Sequence, residues 1–393
     1  MASELNPRAV LHADIRAAVR ELCREFGGAY WQGVEAAGGY PEAFVAALTR
    51  AGWLSALIPE AYGGGGLTLE QASVVLEEIN RSGANSGACH AQMYIMGTLL
   101  RHGTDAQKHR WLPALARGEL RLQSFAVTEP TAGTDTASIR TVAQRDGAHF
   151  LVTGQKVWTS RLQHTDLMLL LARTTPAEQA RRRGEGLSVF LVELPPPGER
   201  EAAGLTARPI RNMVNHETSE VFFDRFAVPA ENLVGEEGQG LRCILDGMNA
   251  ERILIAAECI GDGFWFLERA RGYARERVVF GRPIGQNQGV QFPIARAYAN
   301  LLAADLMRYE AAARFDRGEP AGAGANTAKL LAADASWECA NVCLQTHGGF
   351  GFAADYDIER KFRETRLYQV APVSTNLILA YLAEHVLGLP RSY

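Results

Sequence analysis

Apolar residues recur every three or four positions through roughly the first third of the chain, as at Phe44, Ala47, Leu48 and Ala51. Residues with this spacing share one face of a helix, so the segment from about Ala9 to Leu120 is predicted to be helical. Two short glycine-rich breaks separate helices within this segment. The first part of the chain is therefore expected to form a helical domain.

The period of the apolar residues changes near Gln123, where short runs rich in Val, Phe and Leu alternate with turn residues. Such runs are typical of strands and predict a small β domain in the middle of the chain. The predicted strands are His149–Val152, Asp166–Leu171, Leu187–Leu194 and Ser219–Val228.

After Gly240 the helical period returns in longer stretches, and Gly318–Gly324 is expected to be an interhelical loop. The predicted helices are Leu241–Arg275, Gln288–Arg317, Thr327–Thr346 and Ser374–Leu387. The order helical, β, helical predicts an α+β fold. Its domains are expected to be an N-terminal helical domain at 1–122, a central β domain at 123–233 and a C-terminal helical domain at 234–393.

Length, composition and charge exclude several classes of protein. The chain has 393 residues, 47% of them apolar, and a formal charge of −4, so it can bury a large core. Because there is no excess of basic residues, nucleic-acid binding has no electrostatic basis. No run of residues has the uninterrupted apolar length of a membrane span, and the N-terminus lacks a signal pattern, so we expect a cytoplasmic protein.

The six cysteines are scattered and have no histidine at a ligand spacing, so no metal site is expected. Cys339 and Cys343 lie one helical turn apart, which fits either a redox pair or two buried free thiols. In a reducing compartment buried free thiols are the commoner arrangement, and we predict that arrangement here.

The segment Phe125–Asp135, at the junction of the helical and β parts, contains Pro130 and Gly133 and is predicted to be a loop. Its backbone N–H groups and hydroxyls can bind an extended ligand. The same composition also fits a tight turn with a capping side chain, and the sequence alone leaves both interpretations open.

The segment Lys156–Ser160 ends a predicted strand with a large aromatic residue, Trp158, followed by two hydroxyls. Such an arrangement can lay a flat surface against an isoalloxazine ring and hydrogen-bond its polar edge. A tryptophan at a strand end also fits simple core packing.

Two further segments carry groups that suit a dinucleotide. Arg277–Gln288 places a guanidinium, an aromatic ring and an amide around a Gly-Arg-Pro turn, as a pyrophosphate and an adenosine require. Gln345–Phe352 has paired glycines after a helix, which allow a ligand to approach the backbone closely or simply end the helix.

In this order and spacing, the four segments resemble the acyl-CoA dehydrogenase family over nearly the whole chain. Glu217–Asp224 and Ile358–Arg363 also match the family pattern. The resemblance implies an N-terminal helical domain, a central β domain and a C-terminal four-helix bundle, with FAD held in the cleft between them.

The family pattern also implies which residues bind the cofactor. The flavin contacts would be Phe125, Val127, Thr128, Gly133, Thr134, Trp158, Thr159 and Ser160, with Ser374 and Asn376 nearby. The ADP half would be held across a subunit boundary by Arg277, Phe280, Gln288, Gln345, Gly348 and Gly349. A homo-oligomer is therefore expected, usually a tetramer in this family, with an acyl-CoA substrate and an electron-transfer flavoprotein as electron acceptor.

Family dehydrogenases remove the α-proton with a carboxylate while the β-hydrogen leaves as hydride to flavin N5. At the position where much of the family carries this glutamate, the chain has Pro372, which cannot accept a proton. Some members, including those that resemble isovaleryl-CoA and long-chain acyl-CoA dehydrogenases, carry the base on an earlier helix just before an arginine. This chain matches that pattern at Glu251-Arg252.

The residues themselves support Glu251 as the base. Ile244, Met248, Glu251 and Ile255 are spaced four, three and four apart, so the glutamate shares a helix face with apolar residues and is predicted to point inward. A carboxylate in an apolar cleft resists ionisation, which suits a general base for a carbon acid. The alternative is a structural ion pair with Arg252 or with another helix.

Several interpretations of the substrate site stay open. Thr134, Asn249 and Arg252 are expected to bind substrate, by the family pattern. Pro372 also lacks the N–H with which the family stabilises the thioester oxygen, so a same-fold enzyme with other chemistry is the alternative: a desulfinase, a reductase, a monooxygenase, or an enzyme that acts on acyl-carrier protein. As the acyl group of the substrate, we expect a short or branched chain.

Three polar residues lie where the family lines the acyl pocket or close by. His90, Gln92 and His102 would together suit a polar or charged acyl group. For His102 we favour a structural role instead. For His90 and Gln92 the sequence does not distinguish a place in the acyl pocket from a structural or solvent-facing one.

Overall fold

The structure is a computed structural model, and it describes residues 5–392. Its α-helices are α1 Ala13–Arg24, α2 Gly28–Ala36, α3 Glu42–Arg50, α4 Leu69–Arg81, α5 Ala91–His102, α6 Asp105–Ala116, α7 Gly240–Glu276, α8 Gln288–Asp316, α9 Gly322–His347, α10 Ile358–Arg366 and α11 Thr375–Tyr381, which continues as a π-helical turn, Leu382–Val386. Its strands are β1 Leu122–Ala126, β2 Val142–Asp146, β3 His149–Ser160, β4 Leu167–Arg173, β5 Leu187–Glu193, β6 Leu205–Pro209, β7 Thr218–Pro229, β8 Leu233–Val234, β9 Val278–Val279 and β10 Arg282–Pro283.

The chain divides into two compact units. Within the described residues, one unit comprises 5–37, 68–86 and 249–392, and we call it the helical unit. The other comprises 38–67 and 87–248, and we call it the sheet unit. The predicted α+β architecture, with helices on either side of a β segment in the sequence, is confirmed.

The sheet unit is built on one sheet of eight strands in the order β6-β7-β3-β2-β4-β5-β8, with β1 pairing in parallel with β4. The two longest strands, β3 and β7, pair antiparallel along nearly their whole length. The core of the unit is apolar and includes Phe150 and Phe190, whose rings meet edge to face at 4.9 Å. A shift of register in β3 between Lys156 and Thr159 forms a bulge, which redirects Trp158.

Buried ion pairs join helices of the helical unit. The guanidinium of Arg308 on α8 donates to Glu77 on α4 at 2.8 Å and to Asp305 at 2.6 Å, and all three side chains are fully buried. Arg16 on α1 donates to the same Glu77 at 2.9 Å. Buried charges are retained when each one is paired, and this network connects α1, α4 and α8.

The predicted helices agree with the structure except in two places. α9 begins at Gly322 rather than Thr327, and the predicted helix Ser374–Leu387 is α-helical only at Thr375–Tyr381 and π-helical at Leu382–Val386. The loop is shorter than predicted because the alanine-rich segment from Gly322 favours helix. Cys339 and Cys343 are buried free thiols, as predicted, and so are the other four cysteines. Among residues 5–392, no helix is long and apolar enough to cross a membrane.

Candidate active site

The loop Phe125–Thr134 leaves the end of β1 and is fixed from below by a buried lysine. Lys156 Nζ donates to the carbonyl of Val127 and to Glu129 Oε1, each at 2.9 Å. The Glu129 carboxylate also accepts the N–H groups of Arg140 at 2.6 Å and Thr141 at 2.8 Å. These bonds satisfy the buried groups beneath the loop and leave Gly133 and Thr134 exposed.

Trp158 occupies the β3 bulge with a left-handed backbone, φ +61°, and its ring is 57% exposed. A bulky residue in this backbone conformation carries strain. A tryptophan that served as core packing would also have a buried indole, and this one is exposed. The interpretation of Trp158 as core packing is therefore wrong, and a surface for a flat ligand fits better. Beside it, the buried Thr159 Oγ1 has no hydrogen-bond partner within residues 5–392, and Ser160 Oγ lies 2.8 Å from Thr218 Oγ1.

A cavity of about 630 Å³ opens at the C-terminal end of α9 in the helical unit. It is lined by Tyr273, Arg277, Val279, Ile284, Thr346, His347, Gly348, Gly349, Phe350 and Ala353. Gly348, at φ +59°, ends α9, and a Cβ at either Gly348 or Gly349 would meet no atom within 4 Å. A guanidinium beside accessible backbone is a suitable site for a phosphate.

The hairpin β9–β10 presents Phe280 at its tip, fully exposed and at φ +52°. The backbone of Phe280 is strained, and no described residue of its own chain packs over its ring. Both features indicate that the ring contacts another molecule. Gln288, the first residue of α8, and Gln345, in the last turn of α9, are also exposed and do not line the cavity.

Glu251 lies on α7 with 1% of its surface exposed, so it points inward as predicted. Its neighbour Arg252 is 8% exposed and donates from Nη1 to Asn249 Oδ1 at 2.9 Å. Burial lowers the pKa of Arg252, whereas the charge of Glu251 acts in the opposite direction. The Nε of Arg252 is buried and has no acceptor among the described residues, which leaves a donor beside the candidate base.

The loop that contains Pro372 is held by a second buried lysine. Lys329 on α9 donates from Nζ to the carbonyl of Val373 at 2.6 Å and to the carbonyl of Tyr368. Ser374 caps α11 by accepting the N–H of Leu377 at 3.3 Å. Asn376, in the first turn of that helix, is exposed.

The three polar candidates of the acyl pocket fall into different roles. Gln92 is structural, because its Oε1 accepts the N–H of Leu122 at 3.2 Å at the start of β1. His102 Nε2 lies 3.2 Å from Asp246 Oδ2, in agreement with the structural role favoured for it. His90 is 8% exposed, and its ring centre lies 5.5 Å from that of Tyr94.

The predicted site residues fall into both units. The sheet unit carries the flavin-contact segments at 125–134 and 158–160, whereas the helical unit carries Glu251, Arg252 and the cavity residues. The burial of Lys156 and Lys329 was not predicted, since a lysine in a sequence is normally read as exposed. No cluster of His, Cys, Asp or Glu within the described ranges is arranged to hold a metal ion.

In the sheet unit, an exposed indole on a strained strand bulge, beside a buried hydroxyl with no partner among the described residues, suits a flat ligand. In the helical unit, the cavity at the end of α9 suits a phosphate. The sequence matches the family models for the acyl-CoA dehydrogenase N-terminal domain at residues 11–119, the middle domain at 124–226 and the C-terminal domain at 238–387. The chain therefore belongs to the acyl-CoA dehydrogenase family, and its cofactor is FAD.

Relatives and solved structures agree with this assignment. Acyl-CoA dehydrogenase FadE12 of Mycobacterium tuberculosis is 36% identical over 349 residues, 88% of this chain and 87% of that protein. (2S)-methylsuccinyl-CoA dehydrogenase of Cereibacter sphaeroides is 36% identical over 357 residues, 88% of this chain and 64% of that protein. A glutaryl-coenzyme A dehydrogenase complex with glutaryl-CoA has a TM-score of 0.88 and 29% identity, covering 100% of this chain and 97% of that one.

Proposed function

We propose that the protein catalyses the α,β-dehydrogenation of an acyl-CoA thioester, with Glu251 as the base that removes the α-proton. Bound FAD supplies the acceptor for the hydride that leaves the β-carbon. The observation that carries the proposal is a carboxylate on α7 that is 1% exposed, in a chain whose usual base position is occupied by Pro372.

The environment of Glu251 supports this role. A buried carboxylate is less well solvated than an exposed one, which brings its basicity closer to that needed to remove a carbon-bound proton. Arg252, held by Asn249, keeps a cationic group next to it, and the unused Nε donor can bind the carrier end of the substrate. Thr134, in the sheet unit, is exposed and would also contact substrate, by the family pattern.

The thioester oxygen requires a hydrogen-bond donor that Pro372 cannot provide. The next residue, Val373, is buried, and its N–H donates to no acceptor within the described residues. Lys329 fixes this residue through its carbonyl at 2.6 Å. We propose that the N–H of Val373 polarises the carbonyl in place of the missing donor, since one such donor is worth about 10²–10³ in rate.

The test is anaerobic mixing of the purified holoenzyme with a panel of saturated acyl-CoA thioesters, followed by flavin absorbance. Glu251→Gln is expected to slow flavin reduction by about 10²–10⁴, because a general base contributes that factor. Glu258→Gln is the matched control, since Glu258 is equally buried two turns along α7. Equal rates in wild type and Glu251→Gln would remove Glu251 from this role.

The electron acceptor and the oligomer belong to the same proposal. We expect electrons to pass to an electron-transfer flavoprotein, and we expect a tetramer in which the exposed Phe280 reaches the cofactor site of another subunit. Reoxidation of the reduced enzyme by such a flavoprotein faster than by oxygen, and light scattering at the mass of four chains, are the measurements that check these two points.

Pro372 favours one alternative, a flavoenzyme of the same fold with different chemistry or an acyl-carrier-protein substrate. If no saturated acyl-CoA reduces the flavin, this alternative replaces simple dehydrogenation.

Two of the similar proteins are named for glutaryl-CoA and (2S)-methylsuccinyl-CoA, and both of these thioesters carry a second carboxylate.

A further inference from the structure

Arg161 follows Ser160 directly and is 7% exposed, with a left-handed backbone at φ +61°. Its Nε donates to the carbonyl of Gln123 at 3.4 Å, and its Nη1 donates to the carbonyl of Gly87. Within residues 5–392, its Nη2 donates no hydrogen bond, and no carboxylate lies within 4.0 Å of the guanidinium. A buried cation without a counter-ion is costly, as is the strained backbone that places it there.

A second buried arginine in the same unit shows how a purely structural guanidinium is satisfied. Arg173, at the end of β4, is 8% exposed, and all three of its side-chain nitrogens donate to backbone carbonyls. The acceptors are Ala137, Ile139, Thr175 and Glu185. Arg161 uses only two nitrogens in this way, so its environment lacks the acceptors that a structural role provides.

The side chain of Gln123 has the same deficit. It is fully buried, its Oε1 accepts the hydroxyl of Tyr40 at 2.6 Å, and its Nε2 has no acceptor among the described residues. Burial raises the pKa of Tyr40 above its usual value, although Arg161 acts in the opposite direction. Tyr40 therefore stays a neutral hydroxyl and cannot balance the charge of Arg161.

Both donors lie next to the segments predicted to contact the flavin. Gln123 precedes Phe125 by two residues, and Arg161 follows Ser160. A hydrogen bond of 2.9 Å from Ser124 Oγ, in the middle of β1, to the carbonyl of Ser160, at the end of β3, joins the two segments. An acyl group that is oxidised at its α and β carbons must lie against the flavin, so Arg161 and Gln123, as neighbours of the predicted flavin contacts in the sequence, are candidates to bind its distal end.

We infer that Arg161 and Gln123 form a subsite for a carboxylate at the distal end of the acyl group, so that the preferred substrates are mono-thioesters of short dicarboxylic acids. The carboxylate supplies the missing anion and accepts from Arg161 Nη2 and Gln123 Nε2. A methyl end of the same length would accept from neither donor, and it would leave the buried Gln123 Nε2 unpaired. The inference rests on the proposed dehydrogenation, because it places the distal end of the acyl group relative to the flavin contacts predicted for that reaction.

The experiment compares glutaryl-CoA with pentanoyl-CoA, and adipoyl-CoA with hexanoyl-CoA, as reductants of the flavin in the anaerobic holoenzyme. Each pair has equal chain length and differs in the terminal group. Wild type is expected to favour the dicarboxylic member by about 10- to 100-fold in reduction rate divided by apparent dissociation constant, since hydrogen bonds to a charged group are strong. Arg161→Asn is expected to abolish the preference, and Arg161→Lys to retain part of it.

Asparagine is the variant of choice because it tolerates a left-handed backbone, so the fold is not strained by the substitution. Arg173→Asn is the matched control, and it is expected to keep the preference. Equal reduction within each pair by wild type, or a preference that persists in Arg161→Asn, overturns the subsite and leaves the proposed dehydrogenation intact.

If no member of either pair reduces the flavin, calorimetric binding of the same thioesters decides the inference, and the wider panel of acyl-CoA thioesters decides the proposed dehydrogenation. Tighter binding of the dicarboxylic member to wild type, lost in Arg161→Asn, supports the subsite. Equal dissociation constants overturn it.

Discussion

Two buried lysines, one in each unit, hold loops of the candidate site. The two ammonium groups differ in the partners that stabilise them. Lys156 in the sheet unit contacts the carboxylate of Glu129 at 2.9 Å. Lys329 in the helical unit donates to two backbone carbonyls and makes no ion pair within 4.0 Å among the described residues. Burial lowers the pKa of each ammonium to about 8.

The two lysines differ in the location of the negative charge that opposes the cost of burying each ammonium group. Glu129 belongs to the loop that Lys156 supports, so this pair is complete without any catalytic group. The carboxylates whose charges oppose the effect of burial on the pKa of Lys329 are Glu251, the candidate base, and Asp334. The charge of Lys156 is therefore balanced within the structure that holds its loop. The charge of Lys329, in contrast, interacts with the candidate base, so the loop that Lys329 holds is electrostatically linked to that carboxylate.

The largest expected effect is that of Lys156→Met. The substitution leaves Glu129 buried without its cation, which typically costs about 3–5 kcal/mol in the free energy of unfolding. Urea denaturation at fixed protein concentration measures the loss. The double variant Lys156→Met with Glu129→Gln is the control, and it is expected to recover most of the stability because no uncompensated charge remains. Equal losses in the single and double variants would show that the pair does not act as a unit.

Lys329 is expected to produce a smaller effect that depends on pH. Because its pKa in the folded protein, about 8, lies below the unfolded value of about 10.4, the unfolded chain binds more protons between these values, and raising the pH favours the folded state. The free energy of unfolding of wild type, relative to Lys329→Met, should therefore rise between about pH 8 and pH 10, by about 2–3 kcal/mol in total. Urea denaturation of both proteins across this range is the measurement, and a constant difference would contradict the lowered pKa.

The sequence was sufficient for the architecture and for the inward orientation of Glu251, because both follow from the period of apolar residues. It was not sufficient for Lys156, Lys329 or Arg161, because each is buried through hydrogen bonds to residues far away in the chain. The strained backbone of Trp158 was also out of reach, since a bulge depends on the register of β3 against β7. The role of Gln92 was left open because an amide on a helix carries no sign of the distant N–H that it accepts.

The smallest expected effect comes from the exposed side of the loop that Lys156 supports. Arg183 lies 2.5 Å from Asp135, one residue beyond Thr134, and both side chains are about half exposed. Because solvent and salt screen such a pair, Arg183→Ala is expected to change the free energy of unfolding by about 0–1 kcal/mol, measured by urea denaturation. High salt should reduce even this change, whereas the effect of Lys156→Met should persist. A loss for Arg183→Ala as large as that for Lys156→Met would mean that the loop is held from its surface and not from the buried pair beneath it.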